Sequence, residues 1–144
     1  ADAARSLGRP FILCARADGV MNGVYDLDEA IRRIQAFEKA GADLLYVPVP
    51  PGAEELTRIV QSVAKPVNAL SAGPLRQLTV PQLAGMGVRR ISLGSMIARV
   101  THAAIAEQME AINKDGSFAK LSAAASGDLI NKMLVAGAGE TDHE

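Results

Sequence analysis

Phe37-Glu-Lys-Ala-Gly-Ala-Asp-Leu-Leu-Tyr-Val47 decides the fold. Phe37 closes an apolar stripe at helical spacing that begins at Leu27 and runs through Ala30, Ile31 and Ile34. Gly41 then stops the helix, and Asp43–Val47 is a short apolar run that reads as a buried strand. Pro48–Pro51 cannot continue a central strand and closes it. Working upstream, Asp26 stands as N-cap with Glu29 three residues on, a capping-box spacing, and Phe11–Ala15 is a first strand. Working downstream, Leu56, Ile59, Val60 and Val63 mark a second helix and Pro66–Leu70 a third strand. Thr79 or Ser71 caps the next helix, with Leu83 and Met86 inward and Gly87 at its end. Arg90–Leu93 is a fourth strand, and Ser95 opens a long helix carrying Met96, Ile97, Val100, Ile105, Met109 and Ile112.

The order is βαβαβαβα, an α/β chain whose strands want parallel pairing. Four βα units make half of a (β/α)8 barrel, which typically needs ~250 residues. An open doubly wound sheet is the alternative, but no GxGxxG or GxxxxGK[ST] follows any strand. Residues 1–113 hold the four units. Residues 114–136 follow no strand: Phe118 and Leu121 suggest a short helix, and Leu129, Ile130, Met133 and Leu134 another, capped by Ser126 or Asp128. Residues 137–144 read as a flexible tail, and the whole as one domain. Ala3–Gly8 has the look of the end of a preceding helix, as if the chain were entered midway through a longer protein.

Composition removes several classes. At 49% hydrophobic and 22% charged the chain is an ordinary globular one, not disordered or collagen-like. With 144 residues it buries roughly 68–70% of its unfolded surface, enough for one core. A net charge of −1 without a basic run gives no footprint for nucleic acid or an anionic membrane. No apolar run approaches the ~20 residues of a membrane span, no signal-peptide pattern is present, and a cytoplasmic location is the default. Cys14 is the only cysteine, so neither an internal disulfide nor a CxxC motif exists.

Function in parallel α/β folds gathers where strands end. The first strand ends in Arg16 and Asp18, and alternation puts Ile12, Cys14 and Arg16 on one side. A guanidinium there can grip a carboxylate through two charge-assisted hydrogen bonds, or it can pair with Asp18 for structure alone. Tyr46 offers a hydroxyl or simply packs, and Asn68 faces a pocket or satisfies turn backbone. Gly94-Ser95, at a helix N-terminus, is either an anion site or only a turn. Cys14 reads as a small buried hydrophobe, and Met96, Met109 and Met133 as core. His102 and His143 lack acidic or Cys partners at ligand spacing, and no acid pair stands at a strand tip, so no metal-ligand set is visible.

Five segments, in order, resemble one family. They are Pro10-Phe-Ile-Leu-Cys-Ala-Arg-Ala-Asp18; Leu27-Asp-Glu-Ala-Ile-Arg-Arg33 with Phe37–Asp43; Pro66-Val-Asn68; Leu83–Ser92; and the long helix after Gly94. The run through Arg16 is similar to the "ARTD" strand of the isocitrate lyase / phosphoenolpyruvate mutase superfamily, and the likeness covers roughly residues 3–136 as the C-terminal half of its barrel. The resemblance implies a Mg²⁺-dependent lyase or mutase that breaks or forms a C–C or C–P bond in a small 2-oxo or 2-hydroxy carboxylate, through an enolate-like intermediate. It makes Arg16 the carboxylate holder and places Asn68 near the substrate. Lyases carry a Glu and mutases a His near the end of the second strand, where this sequence has Pro48; the version here looks like a broad mutase-like branch. The family's metal-binding Asp residues and its KKCGH loop belong to the first half of the barrel, so residues 1–144 alone are expected to hold no metal and no catalysis. Exchange of the last helices within a homo-oligomer, a tetramer, is also implied. A non-catalytic half-barrel that self-associates and at most binds a carboxylate or phosphate is the second reading; either one needs partner surfaces along Phe11–Ala15 and Arg90–Leu93, because both edges are unpaired.

Overall fold

In the computed structural model, which describes residues 1–138, the strands are short and the helices carry the chain between them. The order is α1 (Asp2–Arg5), β1 (Cys14–Arg16), α2 (Leu27–Lys39), β2 (Leu44–Tyr46), α3 (Ala53–Gln61), β3 (Val67–Leu70), a 3-10 turn (Gly73–Gln77), α4 (Val80–Gly85), β4 (Arg90–Ser92), α5 (Met96–Asp115), a second 3-10 turn (Ala119–Ala123) and α6 (Gly127–Ala138). Gly137 and Ala138 thus finish α6. Residues 139–144, with the rest of the expected tail and His143, lie outside the described residues.

Caps set where the helices begin. Asp26 accepts a hydrogen bond from the Glu29 N–H at 2.9 Å, but the capping box is only half made. The Glu29 carboxylate turns outward instead, to Arg32 at 2.7 Å and Arg33 at 2.8 Å, since two guanidiniums outbid one backbone N–H. Thr79, not Ser71, caps α4, and its box with Gln82 is complete. Gly41 and Gly87, at φ of 92° and 93°, turn the chain out of α2 and α4 through a conformation that a Cβ disfavours.

The four strands pair in parallel in the order β1-β2-β3-β4. That order has no reversal point, which an open doubly wound sheet requires, so the barrel-type reading is the one the topology obeys. One face of the sheet carries Leu45, Val67 and Ala69 into the helices. There Leu45 and Val67 meet Ile34 of α2 and Ile59 of α3, while Ala69 meets Leu56, Leu75 and Leu83. Each such aliphatic side chain contributes about 1.5–3 kcal/mol by leaving water. The core therefore lies between sheet and helices, and the other face stays open.

Two expectations change. The first strand begins at Cys14 rather than Phe11, because the register with β2 starts at Cys14 and Leu44; Leu13 is held by the Asp43 and Leu44 N–H groups and the Asp43 carboxylate instead of a strand partner. Ile12 is 74% exposed and lies before the strand. Met109 and Met133 are 50% and 60% exposed, not core. The chain divides into two compact units, the first ending at Ile97 and the second starting at Ala98. In the second, α5 and α6 bury no residue fully, although Val100, Ile105, Phe118, Ile130 and Leu134 are apolar. β1 and β4 are the sheet edges, as the sequence suggests.

Asp43 ties the start of the sheet together. Its Oδ1 accepts from Arg5 Nη2 at 2.6 Å, and its Oδ2 accepts from the Leu13 N–H at 2.9 Å. The Arg5 hydrogen bond first, then the Leu13 N–H, hold its carboxyl below the usual carboxylate range. A depressed folded pKa gives stability that is present above the unfolded value and lost as pH falls through the folded one. Asp43→Asn should therefore lower stability at about pH 7, and the gap to wild type should close as pH falls below the unfolded value of about 3.9. Urea unfolding across that range measures it; a gap that persists in acid would contradict the assignment.

Candidate functional site

Parallel register and two-residue alternation bring four predicted or overlooked side chains into one row. Arg16 pairs with Tyr46, Tyr46 with Asn68, and Asn68 with Arg90. All four lie on the face away from the helices and line a cavity of about 410 Å³, together with Cys14 and Ser92. A larger cavity of about 890 Å³ opens near the other ends of the strands, between Arg5, Phe11, Ile12 and Arg89, and Cys14 and Arg90 line it as well. Its carboxylate, Asp43, is already committed to Arg5 and Leu13, and residues at that end of a barrel serve stability. The smaller cavity is the candidate site.

Arg16 reaches Asp18 through Nε at 3.2 Å and Nη2 at 2.8 Å, both to the same oxygen. Half of each side chain is exposed, so the pair is worth only about 0–1 kcal/mol. Such a pair is weakly held. The guanidinium also sits 5.0 Å from the centre of the Tyr46 ring, within cation–π range, which orients it over the cavity wall. Tyr46 is buried; burial raises its phenol pKa, against the opposing influence of Arg16 and then Ser92.

Asn68 does not serve turn backbone. It is 1% exposed, its Oδ1 accepts from Arg90 Nη1 at 3.3 Å, and its Nδ2 donates to Ser92 Oγ at 3.0 Å. The amide orientation is thereby fixed from both sides. Gly94, at φ 55°, lines the cavity, and a Cβ there would meet Leu70 Cδ1 at 3.2 Å; the turn explains the glycine by itself. Ser95 is exposed, one residue before α5 begins. Arg90 and Ser92 are site residues that sequence reasoning passed over; the available signal was alternation, which puts both on one side of β4. Val49 was also unforeseen: a β-branched residue at φ 47°, a strained conformation, just beyond β2.

Cys14 is half-buried rather than a core hydrophobe. Burial raises its thiol pKa, while Arg90 and then Arg16 act to lower it. It should alkylate with iodoacetamide more slowly than free cysteine at about pH 8. Arg90→Gln removes a stabilising cation and should slow it further; faster labelling of that variant would contradict the placement. As the sole cysteine, it reads the site without interference.

The profile of the family described as phosphoenolpyruvate phosphomutase matches residues 1–113. The chain belongs to the phosphoenolpyruvate mutase family. It is similar to a solved protein of Burkholderia cenocepacia J2315 assigned as a lyase/mutase, at 38% identity and a TM-score of 0.85, over 92% of this chain and 48% of that one. The solved phosphoenolpyruvate phosphomutase of Streptomyces platensis subsp. rosaceus shares the fold at 23% identity and a TM-score of 0.74, over 94% and 48%. Phosphonopyruvate hydrolase matches at 26% identity and a TM-score of 0.69, over 88% and 46%. An uncharacterised protein of Mycobacterium tuberculosis (strain CDC 1551 / Oshkosh) is 35% identical over 71 residues, 49% of this chain and 26% of that one. The chain thus spans about half the length of the solved relatives, and its four βα units are half of a (β/α)8 barrel.

Proposed function

We propose that these residues form one wall of the active site of a lyase- or mutase-type enzyme that breaks or forms a C–C or C–P bond in a small 2-oxo or 2-hydroxy carboxylate, through an enolate-like intermediate. The observation that carries it is Arg16: a half-exposed guanidinium at a strand tip, stacked on Tyr46, whose only anionic partner among the described residues is an exposed Asp18. In this reading Arg16 exchanges Asp18 for the substrate carboxylate, which it can hold through two parallel N–H···O bonds. Tyr46 keeps the guanidinium over the cavity, and Asn68 presents a fixed amide beside it. Developing negative charge on the substrate then meets a preorganised cation rather than mobile water. Solved relatives named phosphonopyruvate hydrolase and oxaloacetate acetylhydrolase suit this class of substrate.

Mg²⁺, which the resemblance implies, does not fit the residues of this wall. A hard cation needs several carboxylate or carbonyl oxygens, and the cavity offers two guanidiniums, a thiol, a phenol, an amide and a hydroxyl. Among the described residues no three His, Cys, Asp or Glu side chains converge. No chemical step is therefore assigned to a metal here. Pro48, where the family's lyases carry Glu and its mutases His, is buried and brings no titratable group, so the wall favours neither subgroup. The exposed apolar residues of α5 and α6 suit exchange between subunits of a homo-oligomer, a tetramer in this reading. No described helix is long and apolar enough to cross a membrane.

In the full-length protein, Arg16→Ala should lower turnover of 2-oxo or 2-hydroxy acids by about 10²–10³-fold. Its unfolding free energy should change by less than about 1 kcal/mol, the worth of an exposed pair. Steady-state kinetics with a parallel thermal melt test this, and turnover retained by the variant contradicts the carboxylate-holding role.

A further inference from the structure

We infer that Arg90 is a second anion-binding residue of the same cavity, placed to take the distal carboxylate of a ligand whose first carboxylate rests on Arg16. The site then prefers small dianions to monoanions. This rests on the reading of Arg16 given above, and it concerns a residue at the opposite end of the register row.

Arg16 and Arg90 are the two ends of the row Arg16–Tyr46–Asn68–Arg90, and both line the cavity. Three strand spacings of about 4.8 Å separate their backbones by roughly 14 Å if the sheet is flat, and by less where it curves. Arg16 leans over Tyr46 of β2 and Arg90 reaches Asn68 of β3, so the two side chains lean toward each other. A four-carbon diacid, whose carboxyl carbons are about 4–5 Å apart across three C–C bonds of ~1.5 Å, is the class that would bridge them. Arg90 is also under-used. A guanidinium has five N–H donors, and Arg90 spends one, on Asn68 Oδ1 at a weak 3.3 Å. Among the described residues no carboxylate pairs with it, and unlike Arg9, Arg76, Arg89 and Arg99, which also lack one, it lines this cavity. Asn68 is itself locked by Ser92, so its oxygen holds Arg90 toward the cavity rather than following it into solvent. Both arginines act on the Cys14 thiol, so their fields meet within this space.

The matched probes are L-malate and L-lactate, 2-hydroxy acids that differ in the second carboxylate, titrated calorimetrically into the full-length protein. Wild type should bind malate more tightly. Arg90→Ala should weaken malate by about tenfold to a hundredfold, the usual worth of a charge-assisted contact, and change lactate by less than about twofold. Arg90→Gln, which keeps a donor for Asn68 but removes the charge, should behave like Arg90→Ala. Arg16→Ala should weaken both ligands. Equal losses for malate and lactate in Arg90→Ala, unchanged malate binding with a lowered melting temperature (a structural ion pair), or no malate binding by wild type would each overturn the inference. Should Arg90→Ala act selectively on malate while Arg16→Ala affects neither ligand, it is the Arg16 reading that fails.

Discussion

Parallel pairing without a register slip from β1 to β4 is the constraint on which the site depends. Because side chains alternate every residue, a one-residue slip in any pair would send its strand's polar group into the helix-packed core. Burial enforces the register. Leu45, Val67 and Ala69 must face α2, α3 and α4, and their neighbours Tyr46, Asn68 and Leu70 then have no choice but the open face. The hydrophobic core thus decides where the polar groups of the candidate site point.

The same logic explains why the site is polar yet largely satisfied. Asn68, buried and neutral, would be costly alone; bonds to Arg90 and Ser92 offset its desolvation and fix its amide. Arg16 and Asp18 sit at the rim, where water screens them and exchange is cheap. A rigid interior flanked by an exchangeable rim is the arrangement a ligand clamp needs.

Much of this was legible in the sequence, and the reasons for the remainder are physical. Helical spacing in Leu27–Phe37 and the glycines at 41 and 87 located the α2 and α4 ends because local chemistry fixes them. The family likeness and the strand order pointed together to a half-barrel, which the topology and the family profile show. Strand ends were harder: whether Phe11 belongs to β1 depends on where β2 begins, thirty residues away, and no local signal carries that. Arg90 was invisible as a site residue for a similar reason, since only the register joins it to Asn68. The methionines at 109 and 133 show the limit of periodicity, which marks an apolar stripe but not what covers it.

A crystal structure of the full-length protein with oxalate reads the role of Arg16 itself. A ligand carboxylate should lie within about 3 Å of the Arg16 guanidinium, with Asp18 displaced and Asn68 still bonded to Ser92. Oxalate bound elsewhere, with Arg16 still held by Asp18, would contradict it.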